Sequence, residues 1–281
     1  MRTRRSHKLI VGIVAVLATM AATSCSTGSS DKAEAGGGAD QIVAAADPSL
    51  LPYNFLDTDG KTWKGLNVDI AAALSDKLGR RVVFQSAGFD TIIPGLTSGR
   101  FDVALTGMFD TKERQKTVDF VDYLTAKNNF LTRTGYRDIE SMDDLCGIVV
   151  GIPGGALEAD LLAKASDACV KAGKKTVDVK EFADLDATVL ALLSSRIDVT
   201  PNDSAANAYI TSQNTGKVKV SGGYLNEGYF AVAFPKSSAL TAEFETAFKA
   251  IIADGTYGRI LTDWGIADRA VPAPIINGSP F

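Results

Sequence analysis

The chain has 281 residues, of which 46% are hydrophobic and 22% are charged, and its formal net charge is −4. With a sequence pI of about 5.2, the chain lacks the basic field that binds the phosphates of nucleic acid, so we expect no nucleic-acid partner. Its length allows one large domain or two domains of ordinary size.

The first 24 residues have the layout of a secretory signal. The basic segment MRTRRSHK precedes an apolar run from Leu9 to Ala22, and small residues follow that run. The run is about 14 residues long, which is shorter than the roughly 20 residues of a membrane-spanning helix. We therefore predict a signal peptide at residues 1–24.

Cys25 follows these small residues in an arrangement that resembles the lipobox of bacterial lipoproteins, in which such a cysteine is acylated. Ala22 stands where the lipobox usually has leucine. The small and polar residues that follow have the composition of a flexible linker. We predict a lipidated tether at residues 25–40. The alternative is an ordinary signal peptide that is cleaved nearby, with Cys25 incidental.

Two other cysteines, Cys146 and Cys169, remain in the predicted exported chain. An even pair in an exported protein predicts one disulfide. Closing a loop of about 23 residues stabilises a chain by roughly 3 kcal/mol in the chain-entropy model. Two buried free thiols are the alternative.

A first set of strands and helices alternates after the tether. Ile70, Leu74 and Leu78 recur at helical spacing before Gly79, which predicts a helix and its end. The residues Ile92, Ile93 and Leu96 predict a short helix that ends near Gly99. The predicted strands are 41–46, 81–84 and 102–105. This alternation is typical of a parallel sheet with helices on its faces.

A second set follows Asp144, with predicted helices at 156–170 and 184–195 and predicted strands at 148–152, 176–179, 198–200 and 218–220. A last strand at 230–234 and an apolar helical stripe that ends at Gly255 have no sheet of their own. If they return to the first sheet, the chain crosses between two α/β lobes twice. Two lobes with two crossings form a cleft with a hinge.

Several segments occur in an order that few families share: PYNF, GLNVDIAAALSDKLG, FDTIIPGL, GRFDVALTGMFDTKERQKTVDF, DVTPND and GTYGRILTDWG. In this order they resemble the family 3, polar amino-acid type, extracellular solute-binding proteins of ATP-binding-cassette (ABC) importers. The resemblance implies the two-lobed type II periplasmic-binding-protein fold, an α/β fold with two doubly wound sheets joined by a two-stranded hinge. The implied boundaries are 41–123 and 230–281 for lobe 1, 130–224 for lobe 2, and 124–129 and 225–229 for the hinge.

The same resemblance implies the function. The protein would capture a small zwitterionic solute, an amino acid or a derivative, by closing its lobes, and would deliver it to a membrane permease. We expect a monomer on the extracellular face of the cell membrane, held there by the lipid anchor. A receptor for another organic anion or amine is the alternative.

Two charged residues carry this expectation. Arg114, in TKER, matches the family arginine that binds the α-carboxylate through its planar fork of donors; the alternative is a surface arginine paired with Glu113 or Asp110. Asp203 matches the lobe 2 carboxylate that receives the α-ammonium. Asp203 could also cap the helix that begins near Ser204, or serve both roles.

Other positions match the pocket less specifically. Asp47 matches a pocket carboxylate, or caps the end of a strand. Phe89 packs against the carbon chain of the ligand, or belongs to the core. Gly107 would present backbone groups at the wall. Gly155 and Ala156 open a helix whose free N–H groups could receive a carboxylate, or form a plain turn.

The chain also departs from the family pattern. Leu50 stands where many relatives have a stacking aromatic, Phe109 replaces a hydroxyl residue, and Gly155 or Ala156 replaces a threonine. These changes predict a less polar pocket, in which Leu50, Phe89 and Phe109 wall an apolar part of the ligand. Asn202, beside Asp203, would bind a side-chain amide of the ligand or would face solvent.

Other functions are less favoured by the sequence. The only histidine, His7, lies in the predicted signal, and neither a GxSxG elbow nor a phosphate-binding GxxxxGK occurs. We therefore expect no enzyme, no cofactor and no metal, with a dehydratase-like enzyme of the same fold as the alternative. A sensor module needs further domains, and we expect none after Gly265.

Overall fold

The computed structural model describes residues 40–281. Strands and helices alternate along most of this part of the chain. The strands are β1 (Gln41–Ala46), β2 (Phe55–Leu56), β3 (Trp63–Lys64), β4 (Arg81–Ser86), β5 (Val103–Phe109), β6 (Val118–Arg133), β7 (Val149–Pro153), β8 (Asp178–Phe182), β9 (Val199–Asp203), β10 (Val218–Pro235) and β11 (Ala270–Ile276). The helices are α1 (Leu66–Leu78), α2 (Phe89–Thr97), α3 (Glu158–Lys171), α4 (Leu185–Leu193), α5 (Ser204–Gln213), α6 (Leu240–Ala253) and α7 (Thr256–Asp263).

Nine of these strands form a mixed sheet in the order β4-β1-β5-β10-β6-β9-β7-β8, with β11 paired to β6. At one end, β1 is parallel to β4 and β5. At the other end, β7 is parallel to β8 and β9. We call these two parts lobe 1 and lobe 2. The predicted two-lobed α/β fold is confirmed.

The two long strands β6 and β10 belong to both lobes. Residues 118–124 of β6 pair with 230–235 of β10, while residues 128–132 of β6 pair with β9. The predicted strands 218–220 and 230–234 are therefore the two ends of one strand, and the two lobes share a continuous sheet. The sequence suggested a break because SGGYLNEGY lacks strand periodicity, although its backbone still pairs with β6 around Asn128.

Hydrophobic cores lie on both faces of each lobe. In lobe 1, helices α1, α6 and α7 pack on one face and α2 on the other. In lobe 2, α3 packs on one face and α4 and α5 on the other. This arrangement covers the parallel strands on both sides, as their apolar composition requires. It also places the carboxyl ends of β1, β5, β7 and β9 at the cleft, where such folds bind ligands.

The predicted elements agree with the structure where an apolar period meets a clear stop. Helix α1 ends at Gly79, which has the left-handed conformation with φ 64°. Helix α3, predicted from residue 156, begins at 158 because Gly155 turns the chain with φ 73°. The structure joins Cys146 to Cys169 in the predicted disulfide.

The predicted signal peptide and most of the tether, including Cys25, lie outside the described residues. Within residues 40–281, no helix is both long enough and apolar enough to cross a membrane.

Candidate ligand-binding site

A cavity lies between the lobes at the carboxyl ends of the strands. Its volume is about 70 Å³, which is room for about five water molecules at roughly 10–15 Å³ each. The lining residues are Asp47, Ser49, Leu50, Phe89, Gly107, Phe109, Arg114, Asn128, Pro153, Ala156, Leu157, Glu158, Leu185, Asn202, Asp203 and Phe230.

The cavity brings together nine of the ten residues predicted to bind ligand. The tenth, Gly155, lines an adjacent cavity that also contacts Arg114 and Ala156. The carbonyl of Gly155 accepts a hydrogen bond from Arg114. The contact that Gly155 makes with Arg114 is thus through its carbonyl, and the predicted binding of a ligand carboxylate by N–H groups of this segment stays a prediction.

Arg114 begins the short 3₁₀ turn Arg114–Lys116 after β5 and bridges the lobes. Its Nη1 donates to the carbonyl of Phe109 at 2.8 Å, and its Nη2 donates to the carbonyl of Gly155 at 3.0 Å. The guanidinium lies 5.5 Å from the centre of the Phe89 ring. A guanidinium has five N–H donors, and the other three of Arg114 have no partner among the described residues.

The neighbouring carboxylates of Arg114 are engaged elsewhere. Glu113 pairs with Lys116, and Asp110 accepts from Gln115. The alternative of an arginine paired with Glu113 or Asp110 is therefore not formed. Burial lowers the pKa of Arg114 below its usual value, and the nearby Glu158 opposes that change. An anion from solution would relieve the desolvation of this cation.

Asp203 ends β9 and is both a cap and a wall of the cavity. Its Oδ1 accepts from the backbone N–H groups of Ala205 and Ala206. The same oxygen accepts from the hydroxyl of Tyr53 at 2.7 Å, and Oδ2 accepts from Nη1 of Arg269 at 2.8 Å. The capping alternative is thus formed, and the carboxylate already meets a cation of the chain itself. Oδ2 retains a second lone pair.

Glu158 is a carboxylate of this cavity that sequence reasoning missed. It starts α3 and is only 7% exposed. Burial raises its pKa to about 7, while Arg114 acts in the opposite direction. The Nδ2 of Asn128 donates to Glu158, and the fully buried Oδ1 of Asn128 has no partner in the described part of the chain. A buried acceptor without a partner, next to a carboxylate, could accept hydrogen bonds from a cationic group of a ligand.

Asp47 supplies a third carboxylate to the cavity. Its Oδ1 accepts from the N–H and the hydroxyl of Ser49, each at 2.8 Å, so the capping alternative is formed here too. The hydroxyl of Ser49 in turn accepts from the N–H of Leu185 in lobe 2 at 3.3 Å. Burial is the main cause that raises the pKa of Asp47, and Asp184 adds to it.

An apolar wall separates these charges. The rings of Phe109 and Phe230 meet edge to face at 4.8 Å. Gly107 has φ 66°, and a β-carbon there would lie 2.6 Å from the side chain of Leu50. Glycine at this position avoids both the close contact with Leu50 and the strain that a side chain adds in the left-handed conformation. Asn202 faces the cavity while its Nδ2 donates to Thr200.

Among the described residues, the charges that line the cavity do not balance. Asp203 and Arg269 form an ion pair, which leaves Arg114 against Asp47 and Glu158. Within the described residues, no group of three or more metal-ligating side chains converges as a metal site would require. The arrangement can hold one anionic group and two cationic or hydrogen-bond-donating groups of the same solute.

Comparison with known proteins places this geometry in a family. The family model described as bacterial extracellular solute-binding proteins, family 3, matches residues 42–267. The chain is 28% identical over 241 residues to the arginine-binding protein ArgT of Corynebacterium glutamicum, covering 85% of this chain and 79% of the relative. It is also 28% identical over 265 residues to the arginine-binding extracellular protein ArtP of Bacillus subtilis, covering 93% and 99%.

The solved structures agree. An ancestral arginine-binding protein bound to arginine superposes with a TM-score of 0.73 at 32% identity, covering 80% of this chain and 98% of that chain. The same kind of ancestral protein bound to glutamine gives a TM-score of 0.74 at 30% identity, covering 81% and 98%. The chain therefore belongs to the bacterial extracellular solute-binding proteins of family 3, and its role is to bind a substrate for transport.

Proposed function

We propose that this protein captures an α-amino acid with a cationic side chain, arginine in the first place, and delivers it to an ABC permease. The observation that carries the proposal is the unbalanced charge of the cavity, with Arg114 facing the two unpaired carboxylates Asp47 and Glu158. A zwitterion with one additional positive charge matches this set. The arginine-binding relatives support the choice.

Each charged group of the ligand has a proposed partner. The three free N–H groups of Arg114 receive the α-carboxylate, because a planar fork matches its two oxygens. Glu158 and the remaining lone pair of Asp203 receive the α-ammonium, helped by the free Oδ1 of Asn128. The aliphatic stem packs on Phe89, and the side-chain cation lies toward Asp47.

Closure of the lobes follows from this placement. Arg114 and Asp47 belong to lobe 1, whereas Glu158 and Asp203 belong to lobe 2. A single ligand makes all of these bonds only when the lobes are closed, so binding and closure are coupled. The boundaries 41–123, 124–129, 130–224, 225–229 and 230–281 remain our proposal for the lobes and the hinge.

We further propose that the protein acts at the outer face of the cell membrane. The signal-like residues 1–24 and the lipobox-like position of Cys25 support a lipid anchor followed by a tether. A tether of this composition lets a folded receptor reach its permease while it stays at the membrane.

An enzyme on this fold is the second candidate, favoured by one observation. The pKa of about 7 for Glu158 suits a general acid. A solved ancestral amino acid-binding protein, described as a precursor of cyclohexadienyl dehydratase, is 26% identical to this chain with a TM-score of 0.70. We favour binding, because a buried carboxylate next to Arg114 also suits an ammonium group. Recovery of unchanged arginine after prolonged incubation would support that choice, whereas conversion would favour the enzyme.

A thermal-shift series tests the proposal. A ligand that binds only the folded protein raises its melting temperature. At a ligand concentration of a hundred times Kd, the free energy of unfolding increases by about 2.7 kcal/mol. We expect L-arginine, L-lysine or L-ornithine to shift the melt more than L-glutamine or L-glutamate. Arg114→Met should abolish the shift, and the matched change Arg81→Met, at an exposed position of β4, should retain it. A shift by anionic or uncharged solutes alone would overturn the proposal.

A further inference from the structure

The carboxylate of Asp203 is bound by two side chains of lobe 1. Nη1 of Arg269 donates to Asp203 Oδ2 at 2.8 Å, and Nη2 of Arg269 donates to the hydroxyl of Ser204. The hydroxyl of Tyr53 donates to Asp203 Oδ1 at 2.7 Å. The side chains of Arg269 and Asp203 are 11% and 2% exposed, so water competes little for these bonds.

The partners are anchored near opposite ends of the proposed hinge segment 124–129. The carbonyl of Arg269 accepts from the hydroxyl of Thr125, and the next residue begins β11, which pairs with residues 121–124 of β6. Asp203 instead lies opposite Asn128 at the end of β9. Tyr53 belongs to the lobe 1 core. The ion pair therefore spans residues 126–127 of β6, which lie within the proposed hinge segment 124–129.

Further hydrogen bonds support both partners of the ion pair. A buried ion pair is more favourable when additional hydrogen bonds satisfy its donors and acceptors. Here Ser204 accepts a second N–H of Arg269, while Tyr53 and the N-terminal N–H groups of α5 donate to Asp203 Oδ1. Opening the lobes would break three side-chain bonds at once, and the ligand takes part in none of them.

We propose that Arg269 is a positioning residue that clamps Asp203 across the hinge and favours the closed cleft in the absence of ligand. It raises the affinity by increasing the population of the closed form, because apparent affinity scales with the fraction of binding-competent protein. It also fixes the position of the Asp203 carboxylate at the cavity wall. The inference rests on the proposed function only for the choice of arginine as the probe.

The test uses the full chain, Arg269→Met and the milder variant Tyr53→Phe, which keeps the ring and removes one crossing bond. Hydrogen–deuterium exchange of ligand-free protein reports closure at the N–H of Leu185, which bonds across the lobes to Ser49. Both variants should exchange faster there, Arg269→Met more than Tyr53→Phe. Arg269→Lys should restore part of the protection, because it keeps the cation.

Stopped-flow binding of L-arginine gives the second readout. A clamp that holds the cleft shut in ligand-free protein slows the entry of ligand, so Arg269→Met should raise kon. It should raise koff by a larger factor, so that binding becomes about tenfold weaker. A residue that only supports the fold would not raise kon. Unchanged exchange in ligand-free Arg269→Met and Tyr53→Phe would overturn the proposal. The exchange readout needs no ligand, so its outcome is separate from failure of arginine to bind.

Discussion

The titration of Glu158 gives the sharpest prediction from the structure. Its pKa is raised from the ordinary 4.5 to about 7, so its ionised fraction in the empty protein is about 0.9 at pH 8, about 0.1 at pH 6 and about 0.01 at pH 5. If the ligand ammonium needs the carboxylate, apparent affinity follows this fraction. We expect Kd for L-arginine to rise about tenfold from pH 8 to pH 6, and about tenfold more by pH 5.

Isothermal titration calorimetry over pH 5–8 measures this profile. Glu158→Gln should weaken binding at pH 8 and flatten the profile, while Glu181→Gln, at an exposed position of β8, should leave it unchanged.

The Glu158→Gln variant should still fold. Because the pKa of Glu158 is raised in the folded state, this group lowers the stability of the protein as pH rises from about 4.5 to about 7. The Glu158→Gln variant should therefore melt at the same or a higher temperature than the wild type at pH 8. A Kd that is constant across this range, or a Glu158→Gln profile like that of the wild type, would refute the reasoning.

Three further predictions concern Arg114, Asp122 and Gly107. Arg114→Met should weaken L-arginine binding by at least 3 kcal/mol in calorimetry, since two charge-assisted bonds contribute about 1.5–3 kcal/mol each; a change below about 1 kcal/mol would remove Arg114 from the site. The pKa of Asp122 is raised to about 8 by burial and by the nearby Asp110, so stability falls as pH rises toward 8. Asp122→Asn should reduce this fall in thermal melts, and an unaltered slope would contradict the assignment. Gly107→Ala should destabilise the protein by about 1–3 kcal/mol in urea unfolding, because its β-carbon would lie 2.6 Å from Leu50; wild-type stability would contradict the packing argument.

Local sequence patterns predicted much of the lobes. The spacing of Ile70, Leu74 and Leu78 before Gly79 fixes α1 and its end, because packing and the left-handed stop act within a few residues. The crossing strands were predicted only in pieces. Their polar central residues carry no strand period, and the pairing of β6 with β10 comes from the surrounding fold.

In the candidate site, too, residues that meet only through the fold could not be predicted from local sequence patterns. Arg114 and Asp203 were found through family motifs, and the structure places both at the cavity. The partners of Asp203 were missed, since Tyr53 and Arg269 are 150 and 66 residues away in the chain and carry no local signal. Glu158 could have been noticed as an acidic residue just after Gly155 and Ala156, but its partner Asn128 is 30 residues away in the chain and carries no local signal.

The central claim is that closed lobes hold a zwitterion by its α-carboxylate on Arg114. Calorimetry of the full chain with L-arginine and with agmatine, which has the same guanidinium but no carboxylate, tests it most directly. The account predicts one arginine per chain and agmatine binding at least about a hundredfold weaker, because two charge-assisted bonds are lost. Agmatine binding as tightly as arginine would contradict it.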